Sequence, residues 1–157
     1  MMRIREESRV KICYMRNARS LYGGEGLRYE TTGSAGADLR AAIDSPMTLG
    51  RHERVYIPTG IAIEMPEYMM GGVYSRSGLG SKHGIVVTQG VGVIDSDYRG
   101  ELLVALSNRG DAPYTIKVGE RIAQLVFHYI MLPQFEIVEH LTPTVRGVGS
   151  FGSTGKE

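Results

Sequence analysis

Short apolar runs separated by turn residues fill the chain and predict an all-β fold. Val, Ile, Tyr and Thr recur between Gly and Pro positions roughly every ten residues, a spacing typical of β-sandwiches and barrels. Apolar runs and alternation predict strands over residues 10–15, 54–57, 60–65, 72–75 and 135–139. The glycine-containing stretch 16–34 is expected to be a long loop. Prolines spread from Pro46 to Pro143 leave little room for a long helix, so the helical candidate is the short stretch 77–82.

A polar stretch between two apolar runs holds the densest group of candidate reactive side chains. From Asp95 to Arg99 every side chain is charged, hydroxylic or aromatic, and Gly92 and Gly100 stand on either side. Glycine frees the backbone to turn, while the flanking Val, Ile and Leu favour strands, so the pattern predicts a hairpin. Two carboxylates, a phenol and a guanidinium at its tip make it a candidate reaction site; a plain solvated turn is the alternative.

Two earlier stretches carry further candidate chemistry. Residues 35–42 pack small side chains around Asp38, which either faces a closely approaching ligand or simply opens a strand. Residues 75–84 combine Arg76 and Ser77 with backbone N–H groups beside glycines. Such a set can hold phosphate oxygens by charge and by an amide concavity, although similar sequences also occur in ordinary loops.

The totals limit the classes of partner. The 157 residues fit one domain, and 18 basic against 17 acidic side chains give no net field to attract nucleic acid or an anionic membrane. The longest apolar run, 125–132, is too short to span a membrane. The single Cys13 cannot form an internal disulfide, which fits a reducing compartment. We therefore expect a cytoplasmic or other intracellular protein without nucleic-acid or membrane partners.

The glycine-rich tail, residues 142–157, has two interpretations. Its composition fits a flexible terminus. It also fits an arm that closes over a bound ligand, with the aromatic ring of Phe151 and the guanidinium of Arg146 as its candidate contacts.

Five segments of the chain, taken in order, resemble the signature motifs of the trimeric dUTP pyrophosphatases (dUTPases). The segments are 35–42, 75–84 with Arg76-Ser77-Gly78-Leu79 at its centre, 92–101, 119–127 and 146–156. The resemblance covers most of the chain. It implies a β jelly-roll barrel or sandwich over residues 1–141, with at most one short helix, and an arm over residues 142–157. It also implies a homotrimer whose sites lie between subunits, which suits short strands with open edges.

The resemblance implies hydrolysis of dUTP to dUMP and pyrophosphate. Asp95 would orient and deprotonate the water that attacks the α-phosphorus. A Mg²⁺ ion would span the phosphates, with Asp38 acting only through water and no direct protein ligand. The implied substrate-binding residues are Arg76, Ser77, Gly78, Gln89, Val93, Ile94, Tyr98, Leu103, Gln124, Arg146, Phe151 and Gly152.

Individual roles follow from the same resemblance. Side chains at four positions would hold phosphate oxygens: Arg76, Ser77, Gln124 and Arg146. Backbone groups of 92–94 and Leu103 would read the edge of uracil, and Tyr98 would form a wall under the deoxyribose. Gln89 stands where the family usually has asparagine. Two alternatives remain: a dCTP deaminase-like enzyme of the same fold, and a nucleotide-dependent regulatory binding protein.

Overall fold

The structure is a computed structural model that describes residues 8–150. It contains eleven short strands, one 3-10 helix and one α-helix within that range. The strands are β1 (Lys11–Tyr14), β2 (Ala37–Arg40), β3 (Met47–Leu49), β4 (Arg54–Pro58), β5 (Ile61–Glu64), β6 (Met69–Ser75), β7 (Ile85–Val87), β8 (Val91–Ile94), β9 (Leu103–Asn108), β10 (Tyr114–Ile116) and β11 (Arg121–Tyr129). The 3-10 helix is Ala18–Tyr22 and α1 is Ser77–His83. Among residues 8–150, no helix is long and apolar enough to cross a membrane.

The strands form an all-β jelly roll, which confirms the predicted fold class. A four-stranded antiparallel sheet has the order β2-β11-β6-β8, and a three-stranded sheet has the order β4-β9-β7. Two pairs, β1-β5 and β10-β3, extend the assembly. Alternate residues of both larger sheets point into one core, including Leu39, Val73 and Leu125 from the first and Ile57, Val104 and Leu106 from the second. Burying these side chains is the main driving force for this arrangement.

Several local predictions are confirmed and others are wrong. The strands near residues 10–15, 54–57, 60–65 and 72–75 and the short helix lie where expected. The predicted loop 16–34 contains the 3-10 helix, and the strands β3 and β10 were not predicted. Each of these two strands has three residues, which is too short for alternation to be visible. Residues 135–139 form no strand, because no neighbouring strand of the described chain pairs with them and their side chains are exposed.

The predicted hairpin around residues 92–106 is also wrong. β8 pairs with β6, whereas β9 pairs with β4 and β7, so the two strands belong to different sheets. The segment that joins them is already occupied by other partners. The backbone N–H of Leu102 donates to Ile61 and its carbonyl accepts from the Thr59 N–H and hydroxyl. The chain therefore crosses from one sheet to the other at this point.

The buried Tyr22 links β2 to the turn between β4 and β5. The Tyr22 hydroxyl donates to the Thr59 carbonyl at 2.8 Å and accepts from the Arg40 backbone N–H at 3.1 Å. Burial raises the pKa of Tyr22 to about 12. The folded-state pKa lies above the ordinary value of 10.0, so between about pH 10 and 12 the unfolded chain loses the Tyr22 proton while the folded chain keeps it. The free energy of unfolding is therefore unaffected by Tyr22 ionisation below about pH 10 and falls as the pH rises towards 12.

We expect Tyr22→Phe to lower the free energy of unfolding at pH 7 by about 1–3 kcal/mol, because it leaves the buried Thr59 carbonyl and the partly buried Arg40 N–H without this partner. The variant should also lose less stability than the unmodified protein between pH 10 and 12. Urea unfolding across this pH range measures both effects. Tyr56→Phe is the matched control, since Tyr56 is 73% exposed. An unchanged free energy of unfolding for Tyr22→Phe would contradict the assignment.

Candidate functional site

One carboxylate holds two arginines at the end of the four-stranded sheet. Asp38 Oδ1 accepts from Arg76 Nε at 2.8 Å, and Oδ2 accepts from Arg121 Nη1 at 3.1 Å. The Asp38 side chain is 16% exposed, against 27% for Arg76 and 42% for Arg121. Arg76 Nη1 also donates to the Arg121 carbonyl at 3.3 Å. The two guanidinium groups are therefore fixed in orientation and remain partly open to solvent.

A β-bulge brings Arg121 to this face of the sheet. Gln124 pairs with Asp38 and Ala123 with Leu39, but Arg121 pairs with Arg40, so β11 carries one extra residue at this point. In a regular strand, positions three apart point to opposite faces. The extra residue of the bulge shifts this alternation by one position; bulges are common near functional sites, where they redirect a side chain. Arg121 and Gln124 therefore share one face, while Ile122 and Ala123 are both buried.

The arginines lie in a polar cleft of about 360 Å³. Its lining includes Asp38, Arg76, Ser77, Gly78, Arg121 and Gln124. Gln124 Nε2 donates to the Ser75 carbonyl at 3.0 Å, and Ser77 begins α1 directly after Arg76. The cleft thus combines two cations with a hydroxyl and an amide, a set of donors that suits phosphate oxygens.

A second cleft, of about 190 Å³, lies at the segment that joins β8 to β9. It is lined by Val93, Ile94, Asp95, Tyr98, Glu101 and Leu103. The carboxylate side chain of Asp95 is exposed, and three apolar neighbours are unusually exposed as well: Val93 at 61%, Tyr98 at 43% and Leu103 at 51%. Exposed apolar side chains grouped around an acid mark a binding surface rather than a solvated turn.

The strand edges beside this cleft have backbone groups available for a ligand. β8 is the outer strand of its sheet, with β6 on one side. In β9, the ladder with β7 covers only Leu106–Asn108, so the Leu103 end pairs with β4 alone. Edge positions of this kind present unpaired N–H and C=O groups. A planar ligand with a donor and acceptor pattern can therefore pair with them.

The two clefts are separated along β6. Ile94 pairs with Gly71, which lies five residues before Arg76. At about 3.3 Å per residue, the backbones of Ile94 and Arg76 are about 17 Å apart along the strand. That distance exceeds the combined length of an aspartate and an arginine side chain. Asp95 and Arg76 of one chain therefore do not contact each other, and they line separate clefts.

The remaining predicted residues lie elsewhere or outside the described range. Gln89 is exposed, and its amide nitrogen lies against Gly92, where an added Cβ would approach it to 3.3 Å. Arg146 belongs to an exposed turn, in which its Nε donates to the Gly149 carbonyl at 3.1 Å. The structure does not bring Arg146 to either cleft of its own chain. Phe151 and Gly152 lie outside residues 8–150.

Sequence reasoning missed Arg121 and Glu101 as residues of the two clefts. Both stand inside stretches singled out for other residues, but alternation places Arg121 away from Gln124 unless the bulge is known. Asp38 received a different role, as a contact to metal through water. The structure shows its two oxygens accepting from arginines.

The chain is similar to known proteins in both sequence and fold. The dUTPase family model matches residues 24–155. The deoxyuridine 5'-triphosphate nucleotidohydrolase of Desulfitobacterium hafniense (strain DSM 10664 / DCB-2) is 47% identical over 148 residues, 94% of this chain and 96% of that protein. The Staphylococcus bacteriophage 80alpha dUTPase with dUPNHPP is 26% identical, with a TM-score of 0.82 over 94% of this chain and 98% of that one. A mutant dUTPase from phage phi11 of S. aureus, which coordinates a structural Mg(II) ion, is 24% identical, with a TM-score of 0.74 over 86% of this chain and 99% of that one.

We expect Arg76→Gln to weaken binding of inorganic tripolyphosphate by about 10–100-fold, because a charge-assisted hydrogen bond contributes about 1.5–3 kcal/mol. Isothermal titration calorimetry with tripolyphosphate alone measures the effect. Arg51→Gln is the matched control, since Arg51 pairs with Asp111 away from the cleft. Equal loss of affinity in both variants would show that the cleft is not the anion site.

Proposed function

The chain belongs to the dUTPase family, and from that membership we propose that it hydrolyses dUTP to dUMP and pyrophosphate in nucleotide metabolism. The observation that carries the proposal is the Asp38 carboxylate holding Arg76 and Arg121 toward a polar cleft. Phosphoryl transfer needs fixed cations and an oriented nucleophile more than covalent help from the protein. The two clefts supply these two requirements separately.

The polar cleft binds the triphosphate. Arg76 and Arg121 donate to phosphate oxygens, and the Ser77 hydroxyl and Gln124 amide add uncharged donors beside Gly78. Because Asp38 already orients the arginines, little side-chain entropy is lost when the anion binds. The same pair neutralises the charge that moves onto pyrophosphate as it leaves.

The smaller cleft binds the nucleoside. Free backbone groups of β8 around Val93 and Ile94, and of β9 at Leu103, pair with the edge of uracil. A cytosine presents the reverse donor pattern and leaves buried groups unpaired, which is a strong basis for discrimination. The Tyr98 ring packs under the deoxyribose and excludes a 2′-hydroxyl. Gln89 is the candidate for a side-chain amide contact to the nucleotide; its amide lies beside Gly92, and it does not line this cleft in the single chain.

Asp95 activates the attacking water. Its carboxylate accepts a proton from water, the water oxygen bonds to the α-phosphorus, and the bond from that phosphorus to the bridging oxygen of pyrophosphate breaks. A carboxylate is a weak base, so most of its contribution is placement of the water in line with the leaving group. The exposed position of Asp95 beside the nucleoside cleft supports this role.

The Asp38 carboxylate suits a magnesium ion that arrives already bound to the triphosphate. Within residues 8–150, no group of three or more His, Cys, Asp or Glu side chains could hold a metal ion. Magnesium keeps several waters and often binds through substrate phosphates. A carboxylate has about four acceptor positions, so Asp38 can accept from a metal-bound water as well as from its two arginines. When bound, magnesium would neutralise phosphate charge; Asp38 would contact it only through water.

A complete site requires more than one copy of the chain. The separation of about 17 Å along β6 keeps Asp95 and Arg76 of one chain apart. A closed homotrimer can place the polar cleft of one subunit against the nucleoside cleft of the next. The segment after β11 supports association, because its apolar side chains are bare: Met131, Leu132, Phe135, Ile137, Leu141 and Val145 are each at least 80% exposed.

The tail, residues 142–157, acts as an arm that closes over an occupied site of a neighbouring subunit. Its described part makes a local turn at Arg146 and is exposed. In the closed arm, Arg146 contacts phosphate, Phe151 stacks on the base and Gly152 allows close approach of the backbone. Closure would exclude water other than the nucleophile.

We expect Asp95→Asn to retain binding of dUTP and to lower kcat by about 10²–10⁴-fold, the usual contribution of a general base. Pyrophosphate release from dUTP, dCTP, dTTP and UTP, with and without magnesium, measures both activity and selectivity. Asp44→Asn, at an exposed position outside both clefts, is the control. Ammonia release from dCTP would favour the deaminase alternative, and normal turnover by Asp95→Asn would remove it as the base.

A complementation experiment tests whether the site is shared. Arg76→Ala and Asp95→Asn chains are each expected to be inactive, but co-assembled trimers contain sites that take Arg76 from one chain and Asp95 from the other. With random mixing, about a quarter of the interfaces are intact, so about a quarter of normal activity should return. Native mass spectrometry confirms mixing, and reassembled single-variant trimers are the control. Mixed trimers without activity would contradict a shared site.

A further inference from the structure

Glu101 links the turn between β8 and β9, which carries Asp95 and Tyr98, to the distant residue Gly60. Its side chain is 12% exposed and lines the same cleft as Asp95. Glu101 Oε1 accepts from the Gly60 backbone N–H at 2.8 Å, and Oε2 lies 3.5 Å from Arg16 Nη2. Neither partner belongs to the stretches that carry the candidate chemistry. A mostly buried carboxylate with these contacts holds one segment of chain against another.

The partner of Glu101 is itself held firmly. Gly60 has a φ of +68°, and a Cβ added there would come within 2.1 Å of the Ala18 Cβ. Its carbonyl accepts from the Met15 N–H at 2.8 Å. The adjacent Thr59 is fully buried and donates from both its N–H and its hydroxyl to the Leu102 carbonyl. Residues 59–60 are thus well ordered by their own contacts, and they bond to Glu101 and Leu102 at the downstream end of the turn.

The backbone of residue 101 holds the Tyr98 ring, which lines the nucleoside cleft. The Tyr98 hydroxyl donates to the Glu101 backbone carbonyl at 3.0 Å. Within the turn, the Tyr98 N–H donates to the Asp95 carbonyl at 3.2 Å, and Arg99 Nη1 donates to the Ser96 carbonyl at 2.6 Å. The turn is therefore tied to itself, and it is joined to the body at β8 on one side and at Glu101 and Leu102 on the other.

We propose that Glu101 is a positioning residue, whose bond to Gly60 sets where Asp95 and Tyr98 stand relative to the substrate. This inference rests on the proposed dUTP hydrolysis. Glu101 itself contacts no reacting atom in this assignment. Loss of its carboxylate leaves the backbone bonds of Leu102 in place but removes the side-chain bond at position 101, so the turn is held less firmly. Displacement of a catalytic group by about 1 Å can cost about a hundredfold in rate.

The test compares Glu101→Ala with Glu101→Gln. The amide oxygen of glutamine can still accept from the Gly60 N–H, so Glu101→Gln should keep kcat close to that of the unmodified enzyme. Glu101→Ala should lower kcat by about 10–100-fold. KM should change by a smaller factor, because the triphosphate cleft is unchanged and only the nucleoside contacts of Tyr98 move. Glu53→Ala is the matched control, since Glu53 Oε2 accepts from the Gly50 N–H in a turn away from both clefts; its kcat should not change.

Hydrogen exchange provides a measurement independent of activity. The Gly60 amide should exchange faster in Glu101→Ala than in Glu101→Gln, with residues 96–101 following the same order. A normal kcat in Glu101→Ala, or Gly60 protection equal in both variants, would overturn the inference. If the unmodified protein hydrolyses no dUTP, the proposed function fails, and the exchange rate of Gly60 still decides whether Glu101 holds the turn.

Discussion

The length of one strand, β6, is the constraint on which the proposed chemistry depends. The polar cleft begins where β6 ends at Ser75, and the nucleoside cleft lies beside Gly71, where β8 ends its pairing. Strand geometry fixes that spacing at about 3.3 Å per residue, and side chains cannot shorten it. In the proposed site, each chain therefore supplies two separate half-sites. Association is therefore part of the proposed chemistry and not an addition to it.

Each half-site is organised by a carboxylate that takes no part in bond breaking. Asp38 holds two arginines that would repel each other without it, and Glu101 holds the turn that carries Asp95 and Tyr98. In both cases the acid is mostly buried and its partners come from distant parts of the chain. Such preorganisation is needed because donors aimed in advance lose little entropy when the substrate binds.

Secondary structure was predictable from the sequence where it depends on the pattern of neighbouring residues. The helix after Arg76 and most of the longer strands follow from spacing, turn residues and apolar runs. The hairpin prediction was wrong because β8 pairs with β6 and β9 with β4 and β7, and because Leu102, just after the turn, bonds to residues 59 and 61. The predicted strand at 135–139 was wrong for a related reason: alternation shows that a segment can pair, not that a partner lies within the same chain.

The sequence by itself determined the fold class, the family resemblance and the identity of the acids, arginines and aromatic side chains available for chemistry. These depend on residue type and on spacing over a few positions. Only the tertiary structure decided that Arg121 joins Arg76 on Asp38, through a bulge that changes the face of the strand, and that Glu101 reaches Gly60. Both contacts join segments more than forty residues apart, 83 for Arg121 with Asp38 and 41 for Glu101 with Gly60. Contacts between such distant residues are set by how sheets pack, which local pattern does not encode.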